Sequence, residues 1–307
     1  MVSGMAPDIS VVIVSYKVPA LLRACLASLQ REVADCSYEV IVVENASGDG
    51  SAELVRDEFP GVRLIALDEN IGFAAGSNVG ARAASGEYVL MLNPDTELVG
   101  NTLGALLRYA RAHPEAGLVG GRTLRPDGEL DPGSCWGAQS LWSLVCFASG
   151  LSSLFRGSQL FNPESLAGWS RDSERQVDIV TGCLCLTPRA VWEQLDGFDE
   201  SFFMYGEDAD LATRARKRGY HPAITPDAVI LHHVGASSHS VDKREMNLRC
   251  RVALARKHWS PRRAATAVAL LQVGTGVRAL AASVARRRSS TWPAVWRRRR
   301  DWRGGYA

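Results

Sequence analysis

The apolar run YVLML at residues 88–92 stops at Asn93-Pro94-Asp95, so a buried strand would deliver an amide and a carboxylate to whatever lies beyond its end. Asn, Pro and Asp are also common turn formers, and a plain strand exit is the competing reading. A carboxylate held at a strand end suits Mg²⁺ or Mn²⁺ bridging phosphates, because such a cation needs only one or two protein carboxylates beside phosphate and water oxygens. His232 and His233 close the run AVILHH (228–233), and because successive strand residues face opposite ways, only one of them can offer an imidazole nitrogen to such a site. Glu44 and Asn45 end the run VIVV in the same manner. A carboxylate at Glu44 can accept the imide N–H of uracil or thymine, unless it is only an acid favoured by the N-terminus of a helix capped by Ser47 or Asp49.

The segment YGEDADLATRARKRG (205–219) reads as a helix with acids at its start, bases at its end and Gly219 stopping it. Helix dipole electrostatics alone favour that arrangement. Yet consecutive helical residues point about 100° apart, so one of Glu207 and Asp208 can face a cleft while the other faces structure or solvent. Asp208, above Leu211 and Ala212, is the expected general base for an acceptor hydroxyl, with Glu207 beside it. Gly72, Gly76 and Gly80 are spaced four apart, which lets a helix backbone approach something closely but is not a dinucleotide fingerprint. Neither a P-loop nor a nucleophile elbow is present.

These residues need a frame, and the first 120 residues supply one. Short runs (ISVVIV, EVIVV, VRLIAL, YVLML) alternate with helical patterns at 19–30, 51–59 and 74–84, which predicts a parallel α/β sheet with strands buried on both faces. Ligands of such sheets bind at the carboxyl ends of the strands. Ser15-Tyr16, ENASGDGS (44–51), DENIGFAAGSNVG (68–80) and Asn93-Pro94-Asp95 all fall there. A further helix at 101–113 turns Leu103, Leu106, Leu107 and Ala110 inward and stops at Pro114. Residues 122–176 have poor periodicity and read as a variable insertion. Pattern returns at VDIVTGCLCLTPRAV (177–191), a strand turning into a helix.

Composition bounds the rest. At 307 residues and 46% hydrophobic, the chain can bury one large core or two ordinary ones. Its net charge of +2 conceals eight arginines against one acid from Arg286 onward, leaving residues 1–285 at −5. Seven scattered cysteines point to reduced thiols in a cytoplasmic protein, with Cys183 and Cys185 read as core rather than zinc ligands. The N-terminus carries no secretion signal pattern. Residues 264–285 are apolar with the single charge Arg278 and lead into arginines, Trp292, Trp296 and Trp302. The expected role is contact with an anionic membrane surface; a solvated or oligomer-forming helix and a weakly hydrophobic span are the alternatives. No nucleic-acid-reading fold accompanies the basic tail, so nucleic acid is not an expected partner; the oligomeric state is not legible.

Taken in order, VVIVSY, VIVVENASGDGS, LDENIGFAAGSNVG, YVLMLNPDTEL, DIVTGCLCLTPRAVWEQLDGFDESFFMYGEDADLATRARKRGY and ILHHVGASS resemble the family 2 glycosyltransferases, in particular the bacterial rhamnosyltransferase-like branch, over about residues 9–238. The resemblance implies an α/β GT-A fold with a Rossmann-like, mostly parallel central sheet flanked by helices. It divides the chain into a glycosyltransferase domain over 1–240, with a nucleotide-sugar half to about 120 and an acceptor half from 121, and a helical Arg-rich extension over 241–307. It also implies inverting transfer from a nucleoside-diphosphate sugar without a covalent intermediate. By position, Ser15, Tyr16 and Glu44 would flank the base with Asn45 beside them, and Asn70 and Asn78 would lie along the nucleotide-sugar pocket. Asn93 and Asp95 occupy the first and last positions of the D-x-D motif, Glu207-Asp208 the catalytic-base motif, and His232 the histidine that joins the metal, Mg²⁺ or Mn²⁺. Asn93 in place of the first aspartate and Glu44 in place of a more usual Asp are departures. The expected reaction moves L-rhamnose from dTDP-L-rhamnose to a lipid-linked or polysaccharide acceptor, peripherally at the inner face of the plasma membrane. A UDP-hexose transferase and a catalytically silent nucleotide-sugar-binding scaffold are the alternatives.

Overall fold

The four apolar runs of the first 92 residues become neighbouring parallel strands. A computed structural model describes residues 6–233, 241–285 and 289–306. In chain order the opening elements are β1 (Ile9–Ser15), α1 (Pro19–Arg31), β2 (Tyr38–Glu44), α2 (Ser51–Glu58), β3 (Arg63–Ala66), α3 (Gly72–Ala83) and β4 (Tyr88–Leu92). Next come β5 (Thr96–Val99), α4 (Thr102–Ala112), β6 (Val119–Leu124), β7 (Cys135–Trp136), α5 (Leu141–Ser149) and α6 (Leu151–Leu154). They are followed by β8 (Arg175–Gln176), β9 (Ile179–Val180), β10 (Leu184–Pro188), α7 (Arg189–Gln194), α8 (Glu207–Lys217) and β11 (Ala223–His232). The last helices are α9 (Val241–His258), α10 (Pro261–Val284), α11 (Trp292–Arg297) and α12 (Arg299–Trp302).

The central sheet has the order β3-β2-β1-β4-β10-β6-β11-β5, with β8 added against β11. Six strands share one direction and β5, β8 and β10 oppose it, so the expected mostly parallel α/β sheet flanked by helices is present. Ile9, Val11 and Ile13 pack on one side with Leu22, Leu26, Leu103 and Leu106. The other face of β1 receives α3. A Cβ on Gly80 would come 2.3 Å from a Val12 methyl, and one on Gly76 would come 3.0 Å from a Val14 methyl. The four-residue glycine spacing therefore seats α3 against the sheet.

Three elements depart from the sequence reading. β3 is an edge strand of four residues with Arg63 and Ala66 exposed, so it is not buried on both faces. β5, unanticipated, forms the opposite edge by pairing antiparallel with β11. The stretch 122–176 contains α5, whose N-terminus is closed by a reciprocal Ser140–Ser143 capping box and whose C-terminus ends at left-handed Gly150. Its sequence LWSLVCFAS is too uniformly apolar to show a helical stripe, which hid it.

The chain forms two compact units. The first comprises residues 6–136, 170–203 and 207–233 and holds the sheet; the second comprises 137–169, 204–206, 241–285 and 289–306. The second unit is helical, with Leu144, Leu248, Val252, Ala255, Ala267, Leu271, Val295 and Trp302 in its core. Trp302 is wholly buried and its indole N–H donates to the Val295 carbonyl at 3.2 Å. The described part of the arginine-rich segment, residues 289–306, thus packs around buried Trp302.

Candidate active site

Polar residues gather at the carboxyl ends of β1, β2 and β4 in two groups. In the first group, the β1–β2 register sets Ser15 opposite Glu44. Glu44 is buried and accepts the Ser47 N–H at 2.8 Å, while the Ser47 hydroxyl accepts the Lys17 N–H at 3.0 Å. These bonds brace one strand end to the other. Asn45, also buried, reaches forward: its amide donates to Asn70 Oδ1 at 3.0 Å and to the Gly72 carbonyl at 3.1 Å, and its Oδ1 accepts the Ile71 N–H at 3.0 Å. Tyr16 lies at the exposed rim with the Lys17 ammonium 5.1 Å from its ring centroid. A hydrogen bond with Asn70, then one with Lys17, pull its phenol below the ordinary tyrosine value. Ser15 keeps a buried hydroxyl with no hydrogen-bond partner among the described residues. Ser15, Tyr16, Glu44, Asn45 and Asn70 therefore share one strand-end cluster.

Asn78, expected along the same pocket, does something else. Both its amide donors are used, on the Phe198 carbonyl at 2.8 Å and Glu200 Oε1 at 3.0 Å, and its oxygen accepts the Phe198 N–H at 2.9 Å. It clamps the segment after α7 onto α3. The same segment is held from α8 by Arg214, which donates to the carbonyls of Leu195 and of Gly197, the latter at 2.7 Å. Arg214 is itself fixed by the wholly buried Asp210 at 2.7 Å. Removing one partner of a buried, hydrogen-bonded ion pair strands the other charge. Asp210→Ala is accordingly expected to lower unfolding free energy by about 3–5 kcal/mol, read as a lower denaturant midpoint; an unchanged midpoint would show that the clamp carries no load.

The second group is organised by the turn Thr181-Gly182-Cys183 that precedes β10. The Cys183 carbonyl accepts the Asn93 N–H at 3.2 Å, and the Gly182 N–H donates to Asp208 Oδ2 at 3.4 Å. Asp95 follows Asn93 at the end of β4, and its carbonyl accepts the His233 N–H at 2.8 Å, which ties it to the end of β11. His232 lies between two carboxylates: Nε2 is 3.4 Å from Asp95 Oδ1 and Nδ1 is 2.9 Å from Asp131 Oδ2. Burial acts to lower the imidazole pKa, but the hydrogen bonds to Asp131 and Asp95 outweigh it and hold it at about 9. His233 turns away to Glu97 at 2.7 Å, as strand alternation requires. Burial pushes the Cys183 thiol up to about 12; its bond with Thr181 opposes this, and Asp131, Asp95 and Asp208 add to the rise. All three carboxylates thus act on one buried residue.

Glu207 and Asp208 open α8 with different surroundings. Asp208 is partly exposed, and its Oδ1 accepts the Ala209 N–H at 2.7 Å. Glu207 is buried, and its Oε2 has no hydrogen-bond partner among the described residues. Burial first, and the neighbouring Asp208 second, raise Glu207 well above the ordinary carboxylate range; burial also raises Asp208. A carboxyl whose folded pKa is raised stabilises the fold below its unfolded pKa and loses that contribution as pH climbs through the folded value. Glu207→Gln is therefore expected to raise the melting temperature at pH 8 and leave it unchanged near pH 4. An equal effect at both would mean that Glu207 is not protonated in the fold.

The arrangement fits a divalent cation that takes the place of the proton His232 otherwise shares with Asp95. Asp95 and His232 present an oxygen and a nitrogen side by side, and Asp131 orients the ring through its other nitrogen, the arrangement that typically surrounds metal-bound histidines. No group of three or more His, Cys, Asp or Glu among the described residues could enclose a metal, so the remaining ligands would have to come from substrate and water. Asp131 escaped the sequence reading because LRPDGELDPG looks like surface turns; only the fold carries it to β11.

Such a mostly parallel sheet flanked by helices, with carboxylates at a strand end and at a helix start, has the architecture of the GT-A fold. The model of glycosyl transferase family 2 matches residues 10–176, and this chain belongs to that family. It is 30% identical over 248 residues to an N-acetylglucosaminyl-diphospho-decaprenol L-rhamnosyltransferase of Mycobacterium tuberculosis, covering 76% of this chain and 78% of the relative. It is 29% identical over 234 residues to the O-antigen biosynthesis protein RfbC of Myxococcus xanthus, covering 75% of this chain and 18% of that protein. Among solved structures it is similar in fold, with a TM-score of 0.58 and 21% identity, to the mannosyltransferase PcManGT of Pyrobaculum calidifontis in complex with GDP-Man and Mn²⁺; the match covers 92% of this chain and 76% of that one.

Proposed function

We propose that this transferase is metal-dependent and inverting, and moves L-rhamnose from dTDP-L-rhamnose to a lipid-linked or polysaccharide acceptor during cell-envelope glycan synthesis. The observation that carries the reading is the convergence of Asp95, His232, Asp131 and Asp208 around the Thr181–Cys183 turn. Similarity to the mycobacterial rhamnosyltransferase supports the choice of sugar and of a lipid-linked acceptor. Residues to about 120 would form the donor half and 121–240 the acceptor half, working at the cytoplasmic face of the plasma membrane.

In this mechanism Glu44 accepts the imide N–H of the base, and Tyr16 covers the base from the rim. Asn45 and Asn70 hold the loop into α3 in a fixed shape, so the donor meets a preformed wall. Asp95 and His232 would hold a divalent cation that, when bound, offsets charge developing on the leaving diphosphate. Asp131 keeps the His232 ring oriented for that task. Asp208 takes the proton of the acceptor hydroxyl as its oxygen attacks the anomeric carbon from the face opposite the leaving group. Its raised pKa makes it a stronger base than a free carboxylate.

A UDP-hexose donor is the second reading, because Glu44 would accept the same N–H from uracil as from thymine. Calorimetric titration of dTDP, UDP and GDP, each with and without Mn²⁺, separates the two. Metal-dependent binding of dTDP alone supports the rhamnose reading. UDP alone supports the hexose reading, and no binding to any nucleotide would overturn both and leave a silent scaffold.

A further inference from the structure

The second unit carries an apolar face that no element among the described residues covers. On α10 the exposed residues Ala269, Val273, Val277, Leu280 and Val284 recur at three- and four-residue steps, so they form one stripe. Val273 is 54% exposed, Val277 41%, Leu280 67% and Val284 75%. Fifteen residue steps make this stripe roughly 22 Å long. The only charged residue within it, Arg278, turns inward. Its guanidinium donates to the Phe147 carbonyl, to the Gly274 carbonyl at 3.1 Å and to the Ser153 hydroxyl at 2.9 Å, and lies 3.9 Å from the Phe147 ring centroid. Elsewhere on the same unit Leu154 is 75% exposed and Leu160 61%. Contiguous apolar surface of this kind on a folded unit marks an interaction site.

The charge around it identifies the occupant. The described residues of the second unit carry fifteen lysines and arginines against four acids, a net of +11, while those of the first carry seventeen against twenty-nine, a net of −12. The fold thus concentrates positive charge on the unit that exposes the apolar stripe. α11 packs on α10 where Gly276 meets the Trp296 ring, and it presents exposed Arg297 and, through α12, exposed Arg300. An apolar helix face accompanied by arginines and tryptophan is what an anionic lipid interface attracts. A second copy of this unit would bring like charge against like charge. The opposite face of α10 (Ala264, Ala267, Leu271, Ala279, Ala282) is buried, and Ala264, Ala267 and Leu271 lie in the unit's own core, so a membrane-spanning arrangement would have to strip that packing away.

We propose that the outer face of α10, from Ala269 to Val284, docks in the interfacial plane of an anionic lipid bilayer. The proposal deepens the membrane part of the reading above and rests on it for biological meaning, but it is tested without any sugar donor. Truncating the C-terminal segment is the wrong experiment, because Val295 and Trp302 belong to the core. The test is flotation of the full chain with phosphatidylcholine vesicles, with and without phosphatidylglycerol, for wild type and for the triple variant Val273→Gln, Val277→Gln, Leu280→Gln. These sites are exposed, so circular dichroism and nucleotide binding should be unchanged. Wild type is expected to float only with anionic vesicles, and the variant to bind about tenfold more weakly or less. Arg297→Gln with Arg300→Gln is expected to weaken binding and flatten its salt dependence. Equal binding by the triple variant would overturn the proposal, as would wild type resisting extraction by alkaline carbonate, which would signify a span. Self-association abolished by the variant, without vesicle binding by wild type, would assign the face to a second copy. Any of these failures accompanied by intact metal-dependent nucleotide binding would leave the transferase reading standing.

Discussion

Asp208→Asn is expected to lower turnover about 1,000-fold, within the range typical for loss of a positioned general base, while donor-nucleotide affinity stays within about twofold. Asparagine matches aspartate in shape, and its carbonyl oxygen can replace one of the two acceptors now used by the Ala209 and Gly182 N–H groups. What it cannot do is take a proton. Because burial raises the Asp208 carboxyl, the acid limb of the turnover profile should lie above the ordinary carboxylate range, with activity appearing as the group ionises on raising pH. Glu207 and Asp208 share that titration, so the limb belongs to the pair. Single-turnover transfer measured across pH for wild type and Asp208→Asn decides the matter. Unchanged transfer by the variant would remove Asp208 as base, and lost nucleotide binding would make it a structural residue instead.

The contrast between the two acids also shows what a sequence can convey. The 100° offset of consecutive helical residues predicts that Glu207 and Asp208 face different surroundings, and they do: one is buried, the other partly exposed. The parallel β1–β4 frame was equally readable, because continuous apolar runs between amphipathic helices admit few other arrangements. Helix α4 buries Leu103, Leu106, Leu107 and Ala110, the four residues that its periodicity selects. What periodicity cannot convey is long-range pairing. Asp131 meets His232 across 101 residues, and Asn78 meets Phe198 across 120, through side-chain bonds with no local pattern. Arg214 looked like one cation among several at a helix end, yet it is the one aimed inward at Asp210. Charge segregation was similarly hidden, since the basic residues of the second unit are distributed over α9 to α12 and not confined to the arginine runs.

Asp95→Ala should remove the part of nucleotide affinity that depends on Mn²⁺, leaving the variant in Mn²⁺ about equal to wild type in chelator. On the proposed mechanism, the electrostatics favour a cation here. A diphosphate approaching the end of β4 would meet Asp95, Asp131 and Asp208, with His232 the only basic group among the described residues bonded to any of their side chains. Like charges at such separations repel strongly where water is scarce. Asn93 offers a neutral amide where a second carboxylate would strengthen the site, so on the proposed reading Asp95 and His232 would be its protein ligands and the loss of either should not be compensated. Asp131→Asn tests the same site from behind. It preserves shape but weakens the hold on the His232 ring, and losses of 10–100-fold in metal affinity are typical of such orienting partners. Its effect should therefore be intermediate, with Mn²⁺ dependence retained at higher metal concentration. Calorimetry of the preferred nucleotide over a Mn²⁺ series separates the three proteins. If Asp95→Ala kept wild-type metal dependence, the strand would end in Asn-Pro-Asp only to make a turn, and the metal, if any, would have to be held elsewhere.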